Sequence, residues 1–328
     1  MSALFTPISI HDCTFRNRVV MPPMVMGSGN DDGVVTEETL AHYGARAEAG
    51  VGLIIVEATT VDARGRCWAR GLNAYADAHK PGLGRLAGRI VAAGAVASVQ
   101  LVHGGPQGTA ALCGETVGPS AVAPSADRPA PRALTIPEIL LIEDCFADAA
   151  ARAMAAGFDM VEIHGAHGFL LDSFLSPRRN TREDDYGGTP AGRMRALLET
   201  CRRVRTRLGP TPLLCCRISL FNHLAEGFSA DDLYLLVNGL EQAGIDLLHV
   251  STDGAFNGYF GTEKTIGQWV KECTALPIIV AGGLGHPAAA ERAVAEGHAD
   301  FAAVGHALLD DPAWARHARE ALALASGV

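Results

Sequence analysis

Eight short, β-rich apolar runs recur along this chain, and longer stretches of helical periodicity lie between them. The runs are VVMPPM (19–24), GLIIVEAT (52–59), VASVQLVH (96–103), DMVEIHG (159–165), PLLCCRIS (212–219), DLLHVST (246–252), LPIIVAGG (276–283) and FAAVGH (301–306). Between them come segments such as PGLGRLAGRIVAAG, IEDCFADAAARAMAAG, AGRMRALLETCRRVRTRLG, SADDLYLLVNGLEQAG and PAAAERAVAEG. The repeated AG or EG ahead of a run suits a left-handed residue that closes a helix. Strand–helix alternation demands a parallel sheet, and eight units are what a closed barrel requires. The expected fold class is therefore α/β, a (β/α)8 TIM barrel, with residues 1–328 as a single domain. An open doubly wound sheet is the alternative. It would carry a glycine-rich dinucleotide fingerprint after its first strand, and MPPMVMGSG is not one.

Composition then removes several classes of function. With 48% hydrophobic and 19% charged residues, the chain has ample apolar material for one large core. A formal charge of −9 without a compensating basic run argues against nucleic acid or an anionic membrane surface as partner. The cysteines at 13, 67, 113, 145, 201, 215, 216 and 273 form no CxxC pair, which favours buried free thiols over an iron–sulfur cluster or structural zinc. MSALFTPISIHDCTFRN lacks the charged-then-apolar order of a leader, and no stretch offers roughly 18 uninterrupted apolar residues for a membrane span. The sequence reads as a cytoplasmic protein acting on a small molecule, and it is compatible with a homo-oligomer.

In barrels of this kind chemistry sits at the C-terminal ends of the strands. The fourth run delivers Glu162, His164 and His167, the third Gln100, and the fifth Arg217 from within LLCCRIS. An arginine in a core strand needs an anion or several acceptors, because an unpaired buried guanidinium is prohibitively costly. One candidate partner is Glu162, in a pair that merely braces the barrel. The seventh and eighth runs end in VAGGLGHP and VGHALLDDP, glycine ahead of a helix, where backbone amides can hold a phosphate. The long connection 104–135, rich in Pro, Ala and Ser, is expected as an extended loop over the mouth.

His164 and His167 open the densest polar segment, HGAHGFLLDSFLSPRRNTREDDYGG (164–188). Two imidazoles at this spacing could share a metal ion, but no third ligand is evident, so no metal site is expected. Packing of both rings in the core is a second reading. A third is that both donate to a substrate oxygen, since a neutral imidazole N–H can polarise a carbonyl.

These motifs together resemble the Old Yellow Enzyme family of flavin-dependent oxidoreductases, from LFTPISIHDCTFRNRVVMPPM to VGHALLDDP, nearly the whole chain. The 164–188 segment closely matches the family's signature, and VEAT, VQLVHGG, RIS and VAGG follow in the family's order. The resemblance implies noncovalent FMN, reduction by NADH or NADPH, and hydride transfer to an activated C=C bond. It would lay Pro22, Pro23, Met24 and Val25 along the isoalloxazine, Ala58 and Gln100 at its polar edge, Arg217 by its N1/O2 region, and Gly283, Gly305 and His306 around the phosphate. His164 and His167 would bind the carbonyl oxygen of the substrate. Three positions depart from the family: Phe169 replaces the usual tyrosine proton donor, His306 an arginine common beside the phosphate, and Gly27 a tyrosine that often overhangs the substrate. Phe169 has no proton to give, which makes Tyr259, in the loop after the sixth run, the first candidate for a substitute acid. Because the sequence runs only a short way past the eighth run, the added iron–sulfur and nucleotide domain of some members is not expected. The alternatives to alkene reduction are a flavin-dependent oxidation or double-bond isomerisation, or a flavin-free barrel enzyme acting on a phosphorylated ligand.

Overall fold

The computed structural model describes residues 2–219 and 221–325. Eight parallel strands close into a barrel: β1 (Val19–Met21), β2 (Leu53–Thr60), β3 (Val96–Val102), β4 (Met160–Gly165), β5 (Leu213–Ser219), β6 (Leu247–Ser251), β7 (Ile278–Ala281) and β8 (Phe301–Ala303). Each pairs with its neighbours in sequence, and β8 closes on β1 with Ala302 opposite Val19. Every one of the eight apolar runs becomes a strand, trimmed where its end leaves the sheet. The first stops at Met21 because Pro22 and Pro23 have no N–H to give a ladder.

Helices Lys80–Ala92, Pro190–Leu208, Ala230–Gln242 and Pro287–Ala295 lie where the periodicity places them. The helix that leads into β4 begins earlier than the stretch from Ile142 read in the sequence: it spans Ile136–Ala155, where Thr135 and Glu138 form a capping box and Ile139 is already buried. At the other ends, Gly94 and Gly244 take φ of 81° and 87°, the left-handed closure implied by the AG repeats.

Inside, the barrel has two storeys. The lower one is apolar, built from Val20, Leu53, Ile55, Val96, Met160, Leu213, Leu247, Ile279 and Phe301. A hairpin of Ile8–Ile10 and Cys13–Phe15 closes it from below, with the Phe15 ring 5.0 Å from that of Phe301. Full burial of side chains of this size contributes about 1.5–3 kcal/mol each, so this storey fixes the strands. The upper storey is polar and holds Gln100, Glu162, Arg217 and His249, all buried.

The connection after β3 is more structured than an extended loop. It contains the short helix Ala110–Cys113 and a parallel pair, Val117–Gly118 with Arg132–Ala133. Arg182 fastens it to the 164–188 segment by donating from Nη1 to the carbonyls of Pro119 (2.9 Å) and Leu134 (2.6 Å). All eight cysteines are free; Cys201, Cys215 and Cys216 are buried, whereas the other five are only partly so. Among the described residues no helix is long and apolar enough to cross a membrane.

Candidate active site

Strand register gathers the polar storey. Gln100 lies opposite Glu162, while His164, Arg217 and His249 lie side by side on β4, β5 and β6. Glu162 accepts from Gln100 Nε2 at 2.8 Å and lies 2.7 Å from His249 Nδ1. Burial alone would raise the Glu162 pKa, but His249, Arg217 and Gln100 together hold it below the usual range, so it stays a carboxylate. The brace between Arg217 and Glu162 is thus not what the barrel uses. Arg217 instead donates from Nη2 to Ser251 Oγ (3.2 Å), and its buried Nε has no partner among the described residues. A desolvated guanidinium with a free donor calls for an acceptor from outside the chain.

That arginine lines a cavity of about 380 Å³ at the strand ends, together with Pro22, Pro23, Met24, Gly283, Gly305 and His306. Seven residues singled out from the sequence thus meet around one space. Ser251, Thr252, Asp253 and Gly282 complete this side of the wall. Glycine is required at Gly282: φ is 148°, and a Cβ there would come within 2.5 Å of the Thr252 carbonyl oxygen. Beyond β8, Val304 N–H still donates to Val20 O (2.9 Å), after which the chain turns at Gly305 into the short helix His306–Asp310. Val25 is half-buried and Ala58 and Gln100 are buried; none of the three lines this cavity. A larger hollow, about 820 Å³, lies at the opposite end of the barrel around His11, Asp12 and Asp159 and gathers none of these groups.

His164 and His167 stand beside the cavity wall with ring centroids 5.2 Å apart. Among the described residues His167 is one of three non-glycine residues with positive φ, at 60°, followed by Gly168 at 77°. Such a conformation is held only where surrounding contacts over-determine it. Here His167 N–H donates to Ser219 Oγ (2.9 Å), Gly168 N–H donates to Asp172 Oδ2 (2.7 Å), and His167 Nε2 lies 2.9 Å from Ser251 Oγ. Ser251 therefore joins His167 to Arg217. Burial, then the charge of Arg217, lowers the His167 pKa to about 3; burial and the neighbouring His167 and Arg217 push His164 well down too. Both rings are neutral at physiological pH, and His164 Nδ1 has no partner among the described residues.

Phe169 packs its ring 4.9 Å from His164, and Trp68 packs 5.7 Å from Phe169, an apolar wall over the histidines. The space beside Gly27 is open, with nothing within 4 Å of a Cβ built there. Met26 N–H donates to the buried Glu57 Oε2 at 3.0 Å; burial raises the Glu57 pKa to about 7 against the opposing bonds from Met26 and Gly27. Tyr259 turns its hydroxyl to Thr252 and to Asp253 Oδ1 (2.5 Å), and burial followed by Asp253 raises its pKa to about 12. Its proton is thus committed at the end of β6 rather than to His164 or His167.

Ser219, Ser251, His249, Glu57 and Trp68 escaped the sequence reading. A signal existed for three of them, since Ser219 and His249 share the inward parity of Arg217 and Ser251 follows His249 by two. Trp68 and Glu57 carried no comparable signal.

A barrel whose strand ends surround a cation-backed, glycine-walled cavity beside two neutral imidazoles is the frame of an enzyme that binds a phosphate-bearing cofactor. The chain belongs to the NADH:flavin oxidoreductase / NADH oxidase family, whose model matches residues 3–325. It is 38% identical over 330 residues to an NADH oxidase of Thermoanaerobacter brockii, covering 97% of this chain but only 50% of that protein. With an NADPH dehydrogenase of Bacillus licheniformis it shares 37% identity over 97% of this chain and 94% of the relative. Morphinone reductase in complex with tetrahydroNAD superposes with a TM-score of 0.86 at 26% identity, covering 98% of this chain and 91% of the other. An old yellow enzyme homologue from Zymomonas mobilis gives 0.85 at 29% identity, over 97% and 93%. The protein is accordingly an FMN-dependent NAD(P)H oxidoreductase, and the flavin-free alternative falls away.

Proposed function

We propose that the protein reduces the activated C=C bond of a small α,β-unsaturated carbonyl compound or a close relative. The carrying observation is the pair of desolvated, neutral imidazoles, one with a free ring nitrogen, beside the cavity. FMN, when bound, would take a hydride from NADH or NADPH and supply it to the β-carbon of the acceptor. Its fit rests on Arg217, whose Nε has no partner among the described residues, and on Gly283 and Gly305, which line the cavity without backbone within 4 Å of where a Cβ would stand. Pro22, Pro23, Met24 and Val25 would flank the ring, with Ala58 and Gln100 at its polar edge.

His164 and His167 would hold the acceptor's oxygen by N–H donation and draw electron density away from the double bond. Being neutral, they bind an oxygen without first surrendering a charge. As the bond is reduced, negative charge gathers on that oxygen, and the two donors stabilise it most at that moment. The α-carbon must then gain a proton. Phe169 cannot give it and Tyr259 is engaged elsewhere, so water supplies it. Acceptors whose reduced anions persist, such as quinones, maleimides and nitroalkenes, are therefore favoured over simple enones. The same Phe169 favours a second reading, oxidation or double-bond isomerisation, in which no such acid is needed.

Titration of the FMN-loaded protein with a phenol, followed by its long-wavelength charge-transfer band, tests the histidines. His164→Ala and His167→Ala should each weaken binding about 3- to 10-fold, the scale of one hydrogen bond. Unchanged affinity in both would remove the histidines from ligand binding.

A further inference from the structure

Under the histidine turn lies a buried charge cluster that the reaction above does not use. Asp172, on the first turn of the helix Leu170–Leu175, accepts from Gly168 N–H through Oδ2 and meets His223 Nε2 at 2.8 Å through Oδ1. Their side chains are 1% and 2% exposed. His223 Nδ1 lies 3.3 Å from Glu226 Oε2, which also accepts from Ser176 Oγ at 2.5 Å. The Phe228 ring lies 6.3 Å from the imidazole, and the charge of Arg179 acts on Glu226.

Two carboxylates thus share one imidazole in a desolvated pocket. A buried carboxylate left without an opposite charge is strongly destabilising. Burial alone would lower the His223 pKa, but Asp172 and then Glu226 outweigh it and raise it to about 9. The cluster reaches the histidine turn through the hydrogen bond from Gly168 N–H to Asp172, and the Arg179 guanidinium lies beside the same glycine. Gly168 sits between His167 and Phe169 in a left-handed turn, which relaxes if its partner moves.

We propose that His223 is a positioning residue: as an imidazolium it fixes the Asp172 carboxylate, which holds Gly168 N–H and so keeps the His167 imidazole aimed at Ser251 and the ligand oxygen. The inference rests on the reading of His164 and His167 as donors to that oxygen. Its pH dependence follows from a raised pKa. The contribution is complete below the ordinary histidine value of 6.5 and is lost as pH rises through about 9. Asp172 and Glu226 face the ring directly and favour its charge, and the charge of Arg179, beside Gly168, acts on Glu226.

The holoenzyme is titrated with para-chlorophenol from pH 6 to 10.5, and each variant is expressed as a ratio to the parent, which cancels the phenol's own ionisation. His223→Gln should bind about tenfold more weakly at pH 7, the scale of one charge-assisted hydrogen bond. The ratio should close towards one above pH 10, where the parent too has lost its imidazolium. Asp172→Asn combined with His223→Gln, a neutral pair of similar shape, should regain the parent's affinity at pH 7 and keep it at high pH. FMN content, read by absorbance, should be the same in all. If a variant does not fold, ring-nitrogen NMR of His223 in the parent decides: by reciprocity, ligand that favours the charged ring must raise its pKa. A parental affinity in His223→Gln, a pH-independent ratio, or an unmoved His223 titration on binding would overturn the proposal. If His164→Ala and His167→Ala bind phenol as the parent does, the donor reading falls and this one with it. If they weaken while His223→Gln does not, only the role of His223 fails.

Discussion

The cavity wall at the ends of β7 and β8 is backbone, whereas the wall at the ends of β4, β5 and β6 is side chain. On the first side Gly282, Gly283 and Gly305 bring peptide groups to the cavity, and only His306 adds a polar side chain. On the second, Arg217 donates to Ser251, and His167 beside the wall is held by Ser219 and Ser251, with the next N–H, that of Gly168, held by Asp172. A backbone wall is set by the fold and survives replacement of nearly any neighbouring residue. A side-chain wall can change its chemistry one residue at a time. Of the three departures from the family pattern, Gly27 and Phe169 lie off the glycine-walled side, whereas His306 stands on it.

The sharpest break between the halves is Arg217→Ala. It removes a buried cation that lines the cavity, and loss of a hydrogen bond to a charged group costs about 1.5–3 kcal/mol. FMN released on denaturation and measured by chromatography should fall to near zero after dialysis, whereas His164→Ala and His167→Ala should retain it. Retention in Arg217→Ala would mean that the backbone wall suffices alone.

His249→Ala tests the storey beneath both halves. It takes one hydrogen bond from the buried Glu162 carboxylate, and loss of a hydrogen bond to a charged group costs about 1.5–3 kcal/mol. Denaturant unfolding should show that loss in the midpoint.

A smaller effect is expected at Glu57, under the Met26 turn. Its raised pKa means the folded state favours the protonated form, so stability falls as pH rises from the ordinary value of 4.5 through about 7. Glu57→Gln should match the parent at pH 5 and exceed it by about 1–3 kcal/mol at pH 8.5. Equal stability at both would show a carboxyl already ionised.

How much of this was legible in the sequence follows from the same division. Eight apolar runs and their glycine endings placed the barrel, and the strand ends they define placed Arg217, Gly283, Gly305 and His306 on the cavity, because period maps directly onto geometry, whereas Pro22, Pro23 and Met24 came only from the family resemblance. Side-chain partnerships were not legible. Arg217 called for an acceptor, and Glu162 was the obvious choice by position, yet His249 and Gln100 take that carboxylate. Nothing in one dimension says which of two inward neighbours a rotamer will reach. Trp68, brought against Phe169 from the connection after β2, is invisible to any periodicity. Tyr259 was a reasonable guess from its loop, but the hydroxyl's direction towards Thr252 and Asp253 is a property of the folded turn.

The most direct test is the reoxidation of the reduced FMN-loaded protein by stopped flow, with cyclohexenone and with N-methylmaleimide, in the parent and in Phe169→Tyr. A positioned general acid contributes about 10²- to 10⁴-fold. The parent should therefore reoxidise slowly with the enone and fast with the maleimide. Phe169→Tyr should accelerate the enone towards that range and leave the maleimide nearly unchanged. A parent that already reduces cyclohexenone rapidly, with a single configuration at the α-carbon in deuterated water, would contradict the assignment of that proton to solvent. Failure of both proteins to reoxidise with any alkene would contradict alkene reduction itself.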